Sequence, residues 1–337
     1  MTSMIIDENN MDSILKELRE LQTFKTPIVQ LHSLRHTDDN AIYVKKEDCI
    51  PFSFGGNKVR IAANYFIDLI AKGCDSVITY GSSSSNMCRV VSNFAYKYGI
   101  DCTIISPEEA YEETANSRLV KALGAEVITV PVDCVHQTIE DTIGRYKHDG
   151  RNPYFIYGGG HGKLGTDAYR VVMEQIHSYE IRNGINFNYI FITVGTGTSI
   201  SGLIIENKYR NLNKNIIGVS IARELTRANE VLAESIKAFS GDGDNNTDGT
   251  ELNYELYDYR LGGYGKYTHD VENTVRNIYS SAGLNLDLTY TGKAFTGMKA
   301  FICDRKVTGQ NILFIHTGGT PLFFDAVLKI TPPLSIG

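Results

Sequence analysis

The feature that most constrains this fold is an alternation. Short apolar, β-branched runs are followed repeatedly by segments with apolar residues at helical spacing. "AIYVKKED" (41–48) reads as a strand, and "KVRIAANYFIDLIAKG" (58–73) as a helix closed by Gly73. "SVITYG", "DCTIIS", "AEVITVP" and "PYFIYGGG" read as strands between the helical patterns "SNMCRVVSNFAYKYG", "PEEAYEETANSRLVKALG" and "VHQTIEDTIGRYKH". Pro107 is expected in the opening turn of the second of these helices. Further on, "GTDAYRVVMEQIHSYEIR" reads as one helix and "NYIFITVG" as the most apolar strand. A helix is expected from near Ser199, and "KNIIGVSIA" and "NILFIHTGG" read as late buried strands. Such an order predicts an α/β architecture with parallel sheets. Each polar, glycine-rich segment follows a strand end, where open α/β folds bind ligands.

The chain's 337 residues suffice for two ordinary domains or one large one. No basic run resembles a nucleic-acid footprint, and a net charge of -6 leaves only local anion sites to consider. The N-terminal segment shows neither a signal peptide nor a membrane anchor, and no stretch approaches the roughly 20 apolar residues of a spanning helix. Six cysteines without CxxC spacing are expected to be buried thiols in a reducing cytoplasm. No metal-ligand cluster is visible. "SGDGDNNTDGT" (240–250) lacks the acidic spacing of a calcium loop and reads as a solvated loop.

Several segments could carry chemistry. "VGTGTSISG" (194–202) joins an apolar strand to a helix, where Gly195, Thr196, Gly197, Thr198 and Ser199 could cup a phosphate with amides and hydroxyls. It has neither a P-loop ending nor a dinucleotide fingerprint, and a capped tight turn would look the same. "GSSSSNMCR" (81–89) puts Ser85 and Asn86 at a helix start, able to hold a carboxylate or simply to cap. "LGGYG" offers Tyr264, "YTGKAFTG" offers Tyr290, Thr291 and Lys293, and "HTGGTP" offers Thr317. Lys58, in "SFGGNKVR", is by itself either a surface charge or a reactive amine.

Taken in order, "EDCIPFSFGGNKVR", "GSSSSNMCR", "VGTGTSISG", "GGYG", "YTGKAFTGM" and "HTGG" resemble the pyridoxal-phosphate enzymes of the tryptophan synthase β-like fold, fold type II. Within that group they resemble the D-cysteine desulfhydrase and 1-aminocyclopropane-1-carboxylate deaminase family, over residues 47–319. The resemblance implies two open parallel α/β domains with pyridoxal 5'-phosphate between them. A small domain would span about 50–160, with 1–49 and 161–337 forming the large one. It implies a homodimer acting on a small amino acid, while composition gives the expectations of a cytoplasmic protein without nucleic acid, membrane or metal. Lys58 would hold the cofactor as a Schiff base and then serve as base. Ser85 would bind the substrate carboxylate, with Asn86 near that carboxylate or the cofactor's phenolic oxygen. Residues 195–199 would hold the phosphate, Tyr264 and Tyr290 would face substrate, and Thr317 would lie near the pyridine nitrogen with Thr291 nearby.

Thr291 and Thr317 stand where the deaminase pattern has Glu and Leu, so D-cysteine desulfhydration to pyruvate, sulfide and ammonia fits better than cyclopropane opening. β-Replacement, ammonia loss from another amino acid, and a non-catalytic relative that keeps the fold are the other readings. Ser84 replaces the usual Gln before the Ser-Asn pair. "GGGHGKLG" replaces "GGSNxxG", with His161 in the neighbourhood of the missing asparagine. "GGNKVRIAANY" lacks the usual lysine after the arginine and the Leu-Glu that follows.

Overall fold

The computed structural model describes residue 6 and residues 10–32, 39–110, 112–240 and 252–330. Residues 241–250 of the anticipated loop lie outside them. In chain order, α1 (Met11–Thr23) precedes β1 (Ile28–Gln30), β2 (Ala41–Lys46), α2 (Asn57–Ala71), β3 (Ser76–Tyr80) and α3 (Asn86–Tyr98). Next come β4 (Asp101–Pro107), α4 (Ala115–Ala122), β5 (Glu126–Val130), α5 (Val135–His148), β6 (Pro153–Ile156), α6 (Lys163–Asp167) and α7 (Arg170–Asn183). The remainder is β7 (Tyr189–Val194), α8 (Thr198–Tyr209), β8 (Asn215–Ser220), α9 (Leu225–Ser240), β9 (Tyr254–Asp258), α10 (His269–Ala282), α11 (Thr291–Asp304), β10 (Asn311–His316) and α12 (Thr320–Ile330).

Two compact units result. The first comprises Met1–Phe24, Pro51–Ser53 and Lys58–Ala168. Its sheet runs β5-β4-β3-β6, parallel throughout. Parallel strands need crossovers, and α3, α4 and α5 supply them. The aromatic side of this core stacks Phe52 on Phe94 and Phe94 on Tyr98, with Phe66 tilted against both.

The second unit comprises Lys25–Ile50, Phe54–Asn57 and Tyr169–Gly337. Its sheet runs β1-β2-β10-β7-β8-β9. Only β1 pairs antiparallel, so the sheet is mixed rather than purely parallel. Successive strand residues face opposite sides. Phe191 and Phe314 therefore pack with residues of α10, α11 and α12, while Ile190, Ile192, Leu313 and Ile315 pack with α7, α8 and α9. Helices cover both faces, which explains why these strands are apolar without alternation.

Three expectations are corrected. Pro107 ends β4 rather than opening a helix, and only 115–122 is α-helical. Thr114 is the reason: its hydroxyl accepts from Ser117 N while Ser117 Oγ accepts from Thr114 N, a reciprocal box that starts the helix late. The single helix expected over 165–182 is broken between α6 and α7 at Ala168–Tyr169. Burial of the thiols holds fully only for Cys88, since Cys49, Cys134 and Cys303 are exposed. Among the described residues no helix is long and apolar enough to cross a membrane, and no three His, Cys, Asp or Glu side chains are grouped to hold a metal.

Candidate active site

In the second unit, Gly55-Gly56 meets the turn after β10 backbone to backbone. A Cβ on Gly318 would stand 2.6 Å from Gly56 Cα, and one on Gly56 2.8 Å from Thr317 O. Both glycines have positive φ, so no other residue fits without strain. This approach lets Asn57 N donate to Thr317 O at 3.0 Å, while Asn57 Nδ2 donates to Ser199 Oγ at 2.8 Å. Asn57 is the residue immediately before Lys58. His316 steadies the same turn. Its Nε2 lies 3.1 Å from the Asn285 carbonyl and must carry the proton, so Nδ1 accepts from Gly318 N at 3.2 Å. The Thr317 hydroxyl has no hydrogen-bond partner among the described residues.

Gly197, at φ 82, turns the chain from β7 into α8. The first intrahelical bond is Ser201 N to Gly197 O, so the amides of Thr198, Ser199 and Ile200 are left for another acceptor. Thr196 and Thr198 hydroxyls lie 3.1 Å apart, and Arg223 braces the cup from behind through Gly195 O at 2.6 Å. A Cβ on Gly195 would meet nothing within 4 Å, which marks open space beside the cup.

Tyr264 and Tyr290 hydroxyls hydrogen-bond to each other with their rings edge-on. Asp287, fully buried, builds the Tyr290 side: it accepts from the amides of Thr289, Tyr290 and Thr291 and from Thr291 Oγ1 at 2.7 Å. Thr291 Oγ1 also accepts from Asp287 N. The Thr291 hydroxyl is thus committed inward. Lys293 builds the Tyr264 side by donating to the carbonyls of Ile221, Arg260 and Gly263. Burial lowers its pKa to about 8.

In the first unit, Lys58 Nζ donates to Gly159 O at 2.8 Å, in a turn (158–160) that packs on α3 and β3. Desolvation lowers its pKa to about 8, with no carboxylate nearby to oppose it. The departure at His161 leaves that turn anchored, because Tyr65 OH donates to His161 O at 2.7 Å. Ser85 is the N-cap of α3, its hydroxyl accepting from Cys88 N. Asn86 Oδ1 accepts from Asn116 Nδ2 at 3.0 Å and Arg89 Nη2 at 3.4 Å, so its amide protons point elsewhere.

The sequence-predicted residues therefore fall into four groups: Lys58 on its turn, Ser85 with Asn86, the 195–199 cup with Thr317 across Asn57, and Tyr264 with Tyr290 and Thr291. Asn57 and Asp287 were not singled out in the sequence, and Lys293 was offered with Tyr290 and Thr291 but given no role. Asp287 was legible as an Asx-type turn residue four before Thr291. Asn57 acts through partners distant in sequence and left no local signal, and the bracing role of Lys293 rests on carbonyls distant in sequence.

A desolvated lysine amine in the first unit and an anion cup at a helix start in the second are the two kinds of group that enzymes binding a phosphorylated aldehyde through lysine use. A family model of pyridoxal-phosphate dependent enzymes matches residues 20–318. A putative 1-aminocyclopropane-1-carboxylate deaminase of Pyrococcus furiosus is 31% identical over 306 residues, 89% of this chain and 91% of the relative. A D-cysteine desulfhydrase of Serratia proteamaculans is 26% identical over 309 residues, covering 89% and 92%. The crystal structure of an ACC deaminase homologue superposes with a TM-score of 0.82 at 29% identity, covering 94% of this chain and 99% of that one. The chain belongs to the pyridoxal-phosphate dependent enzymes of fold type II, in the ACC deaminase and D-cysteine desulfhydrase family. The residues fit that cofactor: helix-start amides with no intrahelical acceptor, and hydroxyls beside open space, suit its phosphate, and a partly neutral amine suits its aldehyde.

Proposed function

We propose that this protein is a lyase that removes the β-substituent and amino group of D-cysteine, consuming water and giving pyruvate, sulfide and ammonia. The observation that carries this reading is the commitment of Thr291 to Asp287. Where the deaminase pattern has a carboxylate beside the tyrosine, this chain has a hydroxyl whose donor and acceptor are both used internally. Breaking a cyclopropane C–C bond calls for a positioned acid or nucleophile. A thiolate, from a thiol of pKa about 8.5, departs with its own electron pair and needs little help. The named relatives include both activities, at 31% and 26% identity.

When bound, pyridoxal phosphate supplies an aldehyde for the amino group and a sink for the α-carbon's electron pair. The 195–199 amides with Thr196, Thr198 and Ser199 would hold the phosphate. Lys58, part neutral near pH 8, would be the residue that holds the aldehyde, and its amine would be placed to take the α-proton. Ser85 and the outward amide protons of Asn86 hold the carboxylate. Of the paired Tyr264 and Tyr290 hydroxyls, one delivers a proton to the departing sulfur while the other holds it in line. Thr317 would offer the cofactor a neutral hydroxyl rather than a carboxylate, which would suit β-elimination.

The test is product analysis on the cofactor-supplied enzyme. D-Cysteine is expected to yield equal amounts of sulfide and pyruvate. Lys58→Ala is expected to lose the visible band of lysine-bound cofactor and at least about a thousandfold in turnover. Conversion of 1-aminocyclopropane-1-carboxylate to 2-oxobutanoate with D-cysteine inert would overturn the reading. Pyruvate replaced by a thioether on adding a second thiol would shift it to β-replacement.

A further inference from the structure

The segment before and within the start of α4 embraces the serine loop. Glu112 N donates to Ser83 Oγ at 3.0 Å, Thr114 Oγ1 to Ser83 O at 2.7 Å, and Asn116 Nδ2 to both Ser84 O and Asn86 Oδ1 at 3.0 Å. Asn116 is fully buried at the second position of the helix. Nothing in helix physics asks for asparagine there. It is a poor helix former, and Thr114 with Ser117 already caps the end. Its Oδ1 is buried with no hydrogen-bond partner. Its two amide protons, in contrast, are both spent on the serine loop.

Those two bonds have a directional consequence. A carboxamide presents either its oxygen or its nitrogen. With Asn86 Oδ1 drawn onto Asn116, the Asn86 Nδ2 donors face away from α4. Ser84 O, held by the other proton, fixes the peptide that leads into Ser85. We infer that Asn116 is a positioning residue: it sets Asn86 as a donor and Ser85 in its cap, and so sets the affinity for the substrate carboxylate. The claim about carboxylate affinity rests on the roles given above to Ser85 and Asn86. The claim about loop order does not.

The experiment compares wild type with Asn116→Asp and Asn116→Leu as cofactor-loaded proteins, with two readouts. The aspartate offers acceptors to two acceptors and turns Asn86 around, and the leucine keeps bulk but bonds nothing. The first readout is kinetics with D-cysteine. Each variant should raise KM about tenfold while kcat and the cofactor's resting absorption change less than about threefold, and combining Asn116→Asp with Asn86→Ala should add less than about threefold to Asn86→Ala alone. A merely structural asparagine would lower thermal stability and leave KM in place, and that result overturns the inference. The second readout is hydrogen exchange of the Ser85–Arg89 amides, expected to quicken at least about tenfold in the leucine variant relative to wild type. Unchanged exchange overturns the inference whatever the substrate proves to be. If wild type turns over no amino acid, the proposed function falls, and the exchange result alone decides the positioning claim.

Discussion

Lys58 shows how burial makes chemistry. An exposed lysine near pKa 10.4 is only about 0.04% neutral at pH 7, whereas one near 8 is roughly a tenth neutral. Only the neutral amine attacks an aldehyde. Capture of pyridoxal phosphate by the cofactor-free protein should therefore speed up about tenfold from pH 7 to pH 9 and level off there. A rate still climbing in proportion to hydroxide at pH 10 would show an ordinary lysine. Asp287 is the opposite case. Desolvation raises its pKa, while its hydrogen bonds from Thr291, Tyr290 and Thr289 oppose the rise. Asp287→Asn would turn an amide toward the Thr291 donors. It should lower stability by about 2–3 kcal/mol, checked by urea unfolding, and reduce kcat by freeing Tyr290.

At the scale of elements, the site depends on backbones that approach more closely than side chains allow. Gly318→Ala would place its Cβ 2.6 Å from Gly56 Cα in a positive-φ conformation. It should lower stability by about 3 kcal/mol, seen as a lower urea midpoint, and weaken cofactor binding by displacing Asn57 from Thr317. Gly124→Ala, also at positive φ but with nothing within 4 Å of the added Cβ, separates the two effects: strain without the clash should leave cofactor affinity unchanged. The strand–helix alternation was legible because apolar strands and helical spacing are local signals. So were the strand-end loops that carry Ser85, Thr196 and Thr317. The late start of α4 was not, because the Thr114–Ser117 box competed with a plausible Pro107 start. The antiparallel β1 was missed because three residues carry no periodicity. The roles of Asn57, Lys293 and Asn116 depend on partners 30 to 260 residues away, and no local pattern encodes them.

At the scale of the whole molecule, two sets of buried groups pull the stability of the cofactor-free protein in opposite directions with pH. Lys58 and Lys293 have folded pKa values near 8 against 10.5 in the unfolded chain. Between these values the unfolded chain holds protons the folded one has lost, so stability rises with pH. Cys88 is pushed up to about 11, and Cys102 and Tyr65 to about 12, from 9.0 and 10.0, while burial also raises Tyr98 and Tyr154. Above about pH 9 the unfolded chain loses these protons first, so stability falls. Summed, the lysines prevail at first and the thiols and phenols take over between about pH 9 and 10. The urea midpoint of the reduced, cofactor-free protein should therefore climb from pH 7.5, pass a maximum between about pH 9 and 10, and then decline. Lys58→Met should remove more than half of the climb and bring the maximum to lower pH, so that the decline begins earlier. A midpoint that falls steadily from pH 7.5 would mean that Lys58 titrates as a solvated amine, and the account of its reactivity would fall with it.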